Sequence, residues 1–333
     1  MPLPIYPLVV YGAHPGTIAD HTVTGGFTVE SLDGTPVTVI GVSDTLAAFA
    51  TGGGNTVFAE GDGATAIGDA QTVRDFVLAG HNTVTSEAKG ESDAAGDAIT
   101  LEGFAQAGHN NVTASTSDGP INAFGDAYLM TGFAKGGDNT VAAQVGLGGS
   151  VNLYGDAYIL SGFASGGHNT LSGSAPGAPE TTFAMYGDAY ELTGFTQGGG
   201  NTLNSPSSPV IPAITMYGDG YELLGFASGG GNTLVAGQGV SDTMWGDAAV
   251  VASTAHTTAN TFVFASGIGH DTIMDFRSGE DHIDLQGFGL TTFQELEQLF
   301  QPTSNGLDIV FNATSNILLS GVSTVAAGDF VFS

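Results

Sequence analysis

Apolar positions in this chain fall into columns when it is aligned on a recurring Asp. The fourth residue after each Asp reads Val73, Leu101, Met130, Leu160, Leu192, Leu223, Val251, and the seventh reads Phe76, Phe104, Phe133, Phe163, Phe195, Phe226, then Thr254. The fifteenth reads Val84, Val112, Val141, Leu171, Leu203, Leu234, Phe262. Thirteen residues always separate the Asp from an Asn, whereas 14 to 19 residues lead from each Asn to the next Asp, giving a period of 27 to 32. A constant half and an elastic half predict a stacked coil, held in register on one side and looping outward on the other. Alternation around the Asn, as in Asn-Thr-Leu, suits short strands, and the glycines suit tight turns. The expected fold is all-β: a β-solenoid of about eight rungs over residues 41–259, with a strand-rich cap at 1–40 and a closing cap at 260–333. The first rung, GVSDTLAAFATGGGNTV, keeps Leu46, Phe49 and Asn55 but has Val42 in place of the Asp. All three apolar columns are expected inside, so Phe163→Ala is expected to cost roughly 3 to 5 kcal/mol.

Two polar columns accompany the apolar ones. Stacked carboxamides at the ~4.7 Å strand spacing can bond rung to rung, which predicts an internal Asn ladder; a left-handed turn role is the alternative. The Thr beside each Asn then faces outward. The column two residues beyond each Asn+1 Thr site (Phe58, Thr85, Thr113, Ala142, Ser172, Asn204, Val235) is too mixed to make a second ladder. The Asp column comprises Asp69, Asp97, Asp126, Asp156, Asp188, Asp219 and Asp247. Neighbouring carboxylates ~4.8 Å apart repel by roughly 3 to 4 kcal/mol at an effective dielectric near 20. A buried column therefore calls for calcium, which accepts carboxylates and turn carbonyls in irregular geometry. Exposed Gly-Asp turns screened by solvent are the other reading.

Composition narrows the partners. The 333 residues carry 33 acidic side chains against Arg74, Lys89, Lys135 and Arg277, a formal net charge of −29. No basic patch is available for phosphates, which excludes nucleic acid and disfavours anionic lipids and acidic polysaccharides. There is no cysteine, hence neither a disulfide nor a thiolate metal site. No apolar run reaches the ~18 residues of a membrane span. The amino-terminal stretch lacks the basic region of a cleavable signal.

The segment from Asn260 to Gly289 resembles the closing segment of the repeats-in-toxin (RTX), or haemolysin-type calcium-binding, family. Gly267-Ile-Gly269-His-Asp271-Thr-Ile273 matches the core of that family's nonapeptide, followed in the family's order by Asp275-Phe276, Gly279-Glu280-Asp281 and Ile283-Asp284-Leu285. The resemblance implies calcium held by Gly267, Gly269, Asp271, Asp275, Asp281 and Asp284. It also implies export by type I secretion, read from the tail Asp329-Phe-Val-Phe332-Ser333. It is strong over 260–333 and loose over 40–259, where Asn replaces the family's Asp and the period is longer. Between Gly289 and Ser333, Thr292-Phe-Gln-Glu295 predicts a capped helix, and LDIVF and NILLSGV predict closing strands.

No recognised hydrolase, kinase or metalloprotease motif occurs. His81, His109 and His168 share a column with Asp138, Gly200 and Gly231, which suits a tolerant turn better than a metal site. Tyr128, Tyr158, Tyr190 and Tyr221 form a carbohydrate-stacking stripe if they face water, or pack along a strand face. The expected function is a non-enzymatic, secreted, calcium-ordered structural or adhesive protein of a surface layer, matrix or filament, with self-association bridged by cations. The alternative is an extracellular carbohydrate- or ice-binding module that uses the Tyr or Thr column, with cell-surface polysaccharide as partner.

Overall fold

The computed structural model describes residues 8–13, 15–18, 26–31, 35–176, 181–207 and 213–333. Parts of the expected amino-terminal cap and the tips of the two longest variable loops, 177–180 and 208–212, lie outside the described residues. The chain winds as a β-solenoid of about eight turns. A full rung has three strands, as in Ser150–Tyr154 before the Asp, Ala157–Gly162 after it and Thr170–Ser174 after the Asn. Stacking these in parallel builds sheets of thirteen, nine and eleven strands, the first of which ends in an antiparallel hairpin. Register follows the columns: Leu153 lies beside Met185, Leu160 beside Leu192 and Leu171 beside Leu203.

The interior holds two main apolar clusters, with a smaller aromatic one along the first sheet. One lies between the first and third sheets and includes Leu153, Met185, Leu171 and Leu203. The other lines the second sheet with Leu160, Leu192 and Leu223, packed on Ala164 and Ala227. Each fully buried Leu contributes about 1.5 to 3 kcal/mol. Two of the three expected apolar columns are therefore internal, except Val251, which is 42 % exposed where the second sheet ends.

The phenylalanine column is not internal. Phe49, Phe76, Phe104, Phe133, Phe163, Phe195 and Phe226 are 48 to 57 % exposed. The physical reason sits one residue earlier. Gly103, Gly132, Gly162, Gly194 and Gly225 adopt φ between 68° and 93°, and Ala48 and Asp75 take the same left-handed turn in the first rungs. That turn reverses the side to which the chain points. The Phe swings out and the following residue (Ala50, Val77, Ala105, Ala134, Ala164, Thr196, Ala227) goes in. The corner takes alanine in five of these seven rungs and nothing larger than Val77.

Both ends extend the stack. Leu8–Tyr11, Thr17–Ile18 and Thr28–Ser31, the described strands of the expected amino-terminal cap, pair in parallel with the next rung and so form a rung themselves. After Ala248–Val251 the second sheet stops and rungs become two-stranded. The expected helix is present over Phe293–Glu297, with the Thr292/Glu295 capping box. The two expected closing strands form a hairpin, Gly306–Asn312 with Ser315–Ser320. The tail strand Phe330–Phe332 closes the third sheet on His282–Gln286.

Candidate functional site

The recurring polar residues form a spine enclosed between the two apolar clusters. Every Asn of the column from Asn55 to Asn260 is at most 3 % exposed. The backbone N–H of Asn139 donates to Oδ1 of Asn169 at 3.0 Å, that of Asn169 to Asn201 at 2.9 Å, and the pattern runs from Asn55 to Asn260. The ladder expected from the sequence exists, and it runs chiefly from main chain to side chain, with a carboxamide-to-carboxamide bond from Asn169 Nδ2 to Asn201 Oδ1 at 3.1 Å. It ends at Asp281, whose Oδ1 accepts from the Asn260 N–H. From Asn55 to Asn232 each Asn Nδ2 also donates to the carbonyl of the Gly that precedes an Asp in the next rung, as Asn169 does to Gly187 at 3.2 Å. That Gly is obligatory: a Cβ on Gly155 would stand 1.7 Å from the Gly187 carbonyl oxygen and 2.5 Å from Asn169 Nδ2.

The Asp column is buried throughout, at most 2 % exposed, which removes the reading of solvated turns. Each carboxylate accepts from the N–H eleven residues on, such as Gly167 to Asp156 at 3.0 Å and Gly199 to Asp188 at 2.8 Å. Asn Nδ2 donates to most of them as well. Burial outweighs these donors and lifts Asp69 and Asp156 to about 6, and Asp247 to about 7. Burial first, and then neighbouring carboxylates, hold Asp97, Asp126, Asp188 and Asp219 well above the usual carboxylate range. At the carboxyl-terminal end Arg277 closes the column, 2.8 Å from Asp247 and 3.7 Å from Asp281.

Asp271, Asp275, Asp281 and Asp284 are not brought together with Gly267 and Gly269 into one ligand set. Asp271 faces the interior and accepts from the Asp242 N–H at 2.9 Å, while burial lifts it to about 8. Asp275 accepts from the Gly246 and Asp247 N–H groups, and Asp281 from those of Asn260 and Arg277. Asp284 lies at the surface with Gln286 and Ser333. Gly267 takes a left-handed turn, φ 98°, and Gly269 lies where a Cβ would be 2.0 Å from the Val240 carbonyl. Among the described residues no three His, Cys, Asp or Glu side chains converge as a metal-holding group. The N–H groups aimed at the spine hold each carboxylate by an oxygen, while Asp188 Oδ2 and Asp219 Oδ2, both buried, have no hydrogen-bond partner among the described residues. His81 and His109 have their Nδ1 atoms occupied by the N–H of the next rung, in keeping with a turn role.

Two aromatic ridges run along the outside. In the first, Phe49 through Phe226 stack ring on ring at 4.9 to 5.3 Å, with interplanar angles of 9° or less. In the second, Tyr128, Tyr158, Tyr190 and Tyr221 stack at 5.1 to 5.2 Å. These tyrosines are half-buried, packed edge-on against an inner ladder of Phe124, Tyr154, Tyr186, Tyr217 and Trp245. Sequence reasoning missed the inner ladder, although the repeated aromatic before Gly-Asp, as in Tyr154-Gly-Asp, carries its signal. In both ridges ring faces meet ring faces, so solvent sees only edges. A sugar stacks on an aromatic face, and within each ridge those faces are turned toward neighbouring rings.

No family model matches this chain, and no curated protein or solved structure does either.

Proposed function

We propose that this chain is a secreted structural element, a stiff rod that builds an extracellular layer or filament, and that it does no catalysis. The observation that carries the reading is the uninterrupted outer phenylalanine ridge on an enclosed polar spine. The recurring carboxylates, which would be the candidates for acid and base chemistry, are shut inside the coil away from any substrate. What repeats on the outside is apolar contact surface. Ten inter-strand steps in the eleven-stranded sheet make the coil about 48 Å long.

Calcium belongs in this reading at the surface rather than in the spine. Exposed Glu60 and Glu87 are direct cross-strand neighbours, and so are Glu191 and Glu222. Such like-charged pairs repel one another and are relieved by a divalent cation shared with a neighbouring molecule. Export is supported by the RTX-like segment at 260–333. The test is electron microscopy and light scattering of the purified protein through a calcium titration. Ordered assemblies that dissolve in chelator are expected. Dispersed protein at every calcium level, or saturable binding of a glycan, overturns the reading.

A further inference from the structure

We propose that two copies of this chain pair through the phenylalanine ridge, forming an apolar seam that needs no cation. The inference rests on the scaffold reading and names its first partner. Seven half-exposed rings, at ~200 Å² of side-chain surface each, present about 700 Å². That exceeds the largest apolar patch of an ordinary monomer, ~300 to 600 Å². Burying it against an equal ridge removes about 1,400 Å² in all, within the ~1,200 to 2,000 Å² of stable interfaces.

Charge points the same way. A molecule of net −29 repels its copy almost everywhere. Within three residues of the seven phenylalanines, however, the only charged side chains are Arg74, Asp75, Glu102 and Lys135, which sum to zero. Around Phe163, Phe195 and Phe226 the flanking residues are Ser161, Thr193, Leu224, Ser165, Gln197 and Ser228, all uncharged. The ridge is thus the neutral edge of a strongly acidic rod, and it holds two of the chain's four basic residues.

Pitch selects the occupant. The ring edges form a straight comb with a spacing of 4.9 to 5.3 Å. A partner that buries every ring at once must be rigid, straight and of equal repeat, and a second copy meets all three conditions. A two-fold pair is self-complementary. With its axis along the rod each rung faces its own twin. With its axis across the rod Phe133, the fourth of seven, faces itself and Phe226 faces Phe49.

The experiment is sedimentation equilibrium in chelator at about 0.15 M ionic strength, where cation bridges are absent. Wild type is expected at twice 33.4 kDa. Phe133→Ser/Phe163→Ser/Phe195→Ser is expected as a monomer, its pairing weakened at least about 100-fold, with an unchanged circular dichroism spectrum. The chain has no native cysteine, so a short bis-maleimide reads the geometry without background. Phe133→Cys is expected to cross-link in either two-fold arrangement, and Phe226→Cys only in the arrangement with its axis along the rod. Exposed Thr140→Cys, on the third sheet, is expected to stay uncoupled. A monomeric wild type, an equally dimeric folded triple variant, or cross-linking through Thr140→Cys instead of Phe133→Cys overturns the seam. So does a monomer that floats with phosphatidylcholine vesicles through these rings, which would assign the ridge to lipid. A chelator-resistant pair without calcium-dependent layers keeps the seam and removes the scaffold; layers built from monomers do the reverse.

Discussion

At Phe163 and Leu160, three residues apart, the same rung gives opposite outcomes. Leu160 has no exposed surface, whereas Phe163 is 53 % exposed and holds its place by stacking between Phe133 and Phe195. Leu160→Ala leaves a cavity and is expected to cost about 2 to 5 kcal/mol. Phe163→Ala loses half a burial and its two stacking contacts, so about 1 to 2 kcal/mol is expected. Urea melts of the two variants check the order, and equal losses would mean that Phe163 is internal after all. Hydrophobicity in the sequence marks both residues alike. What separates them is the left-handed turn at Gly162, φ 76°. A sequence shows that glycine without showing which way the next side chain leaves. The adjacent Ala164 was the available signal, since a corner that takes alanine in five of seven rungs, and valine or threonine in the others, has no room for a ring. Gly155→Ala belongs to this scale too: its methyl group would meet the Gly187 carbonyl at 1.7 Å. It is expected to prevent folding or displace a whole rung, seen as loss of the β spectrum or of the cooperative melt.

The spine makes stability depend on pH in an unusual direction. Asp69 has an ordinary value of 3.8 and is raised to about 6 in the fold, chiefly by burial. The native state therefore binds more protons than the unfolded chain between about pH 4 and 6, and stability falls as pH rises through that window. A carboxyl that titrates near 6 folded and near 3.8 unfolded costs about 3 kcal/mol at pH 8 relative to pH 3. Asp156, shifted to about 6, and Asp247, to about 7, act with the same sign. Melting temperature is expected to be higher at pH 5 than at pH 8, opposite to a protein held by ionised carboxylates. Asp156→Asn keeps an acceptor for the Gly167 N–H and removes the titration, so it is expected to raise the melting temperature at pH 8 and flatten the profile. A melt that instead improves steadily from pH 4 to 8 would show the column ionised and compensated. Arg277→Gln removes the only cation that contacts Asp247 among the described residues. It is expected to steepen the loss above pH 7.

For the molecule as a whole, charge and shape act against each other. The formal −29 counts every carboxylate as ionised, but the enclosed column retains protons through part of the neutral range. Repulsion between copies is therefore smaller than the composition suggests. The exposed acids remain, and they keep the broad faces of two rods apart without cations. The neutral phenylalanine edge is where the rods can meet. Salt is accordingly expected to strengthen pairing modestly by screening the outer carboxylates, checked by sedimentation between low and moderate ionic strength. Pairing that weakens as salt rises would point to an electrostatic interface elsewhere.

The repeat alone determined the coil, its register, the Asn ladder and two of the three apolar columns, because identical residues stacked at a fixed strand spacing must meet their own kind. It also showed the capping box at Thr292 and the two closing strands, whose signals are local, while their pairing as a hairpin came from the structure. The facing of the phenylalanines, the burial of the Asp column and the separation of Asp271, Asp275, Asp281 and Asp284 were decided by the tertiary structure. Each depends on where a turn aims a side chain across the coil. A left-handed residue at one corner reverses that aim without changing the hydrophobic pattern around it. Whether a carboxylate faces calcium, water or a backbone N–H likewise depends on groups that come from another rung, about thirty residues away.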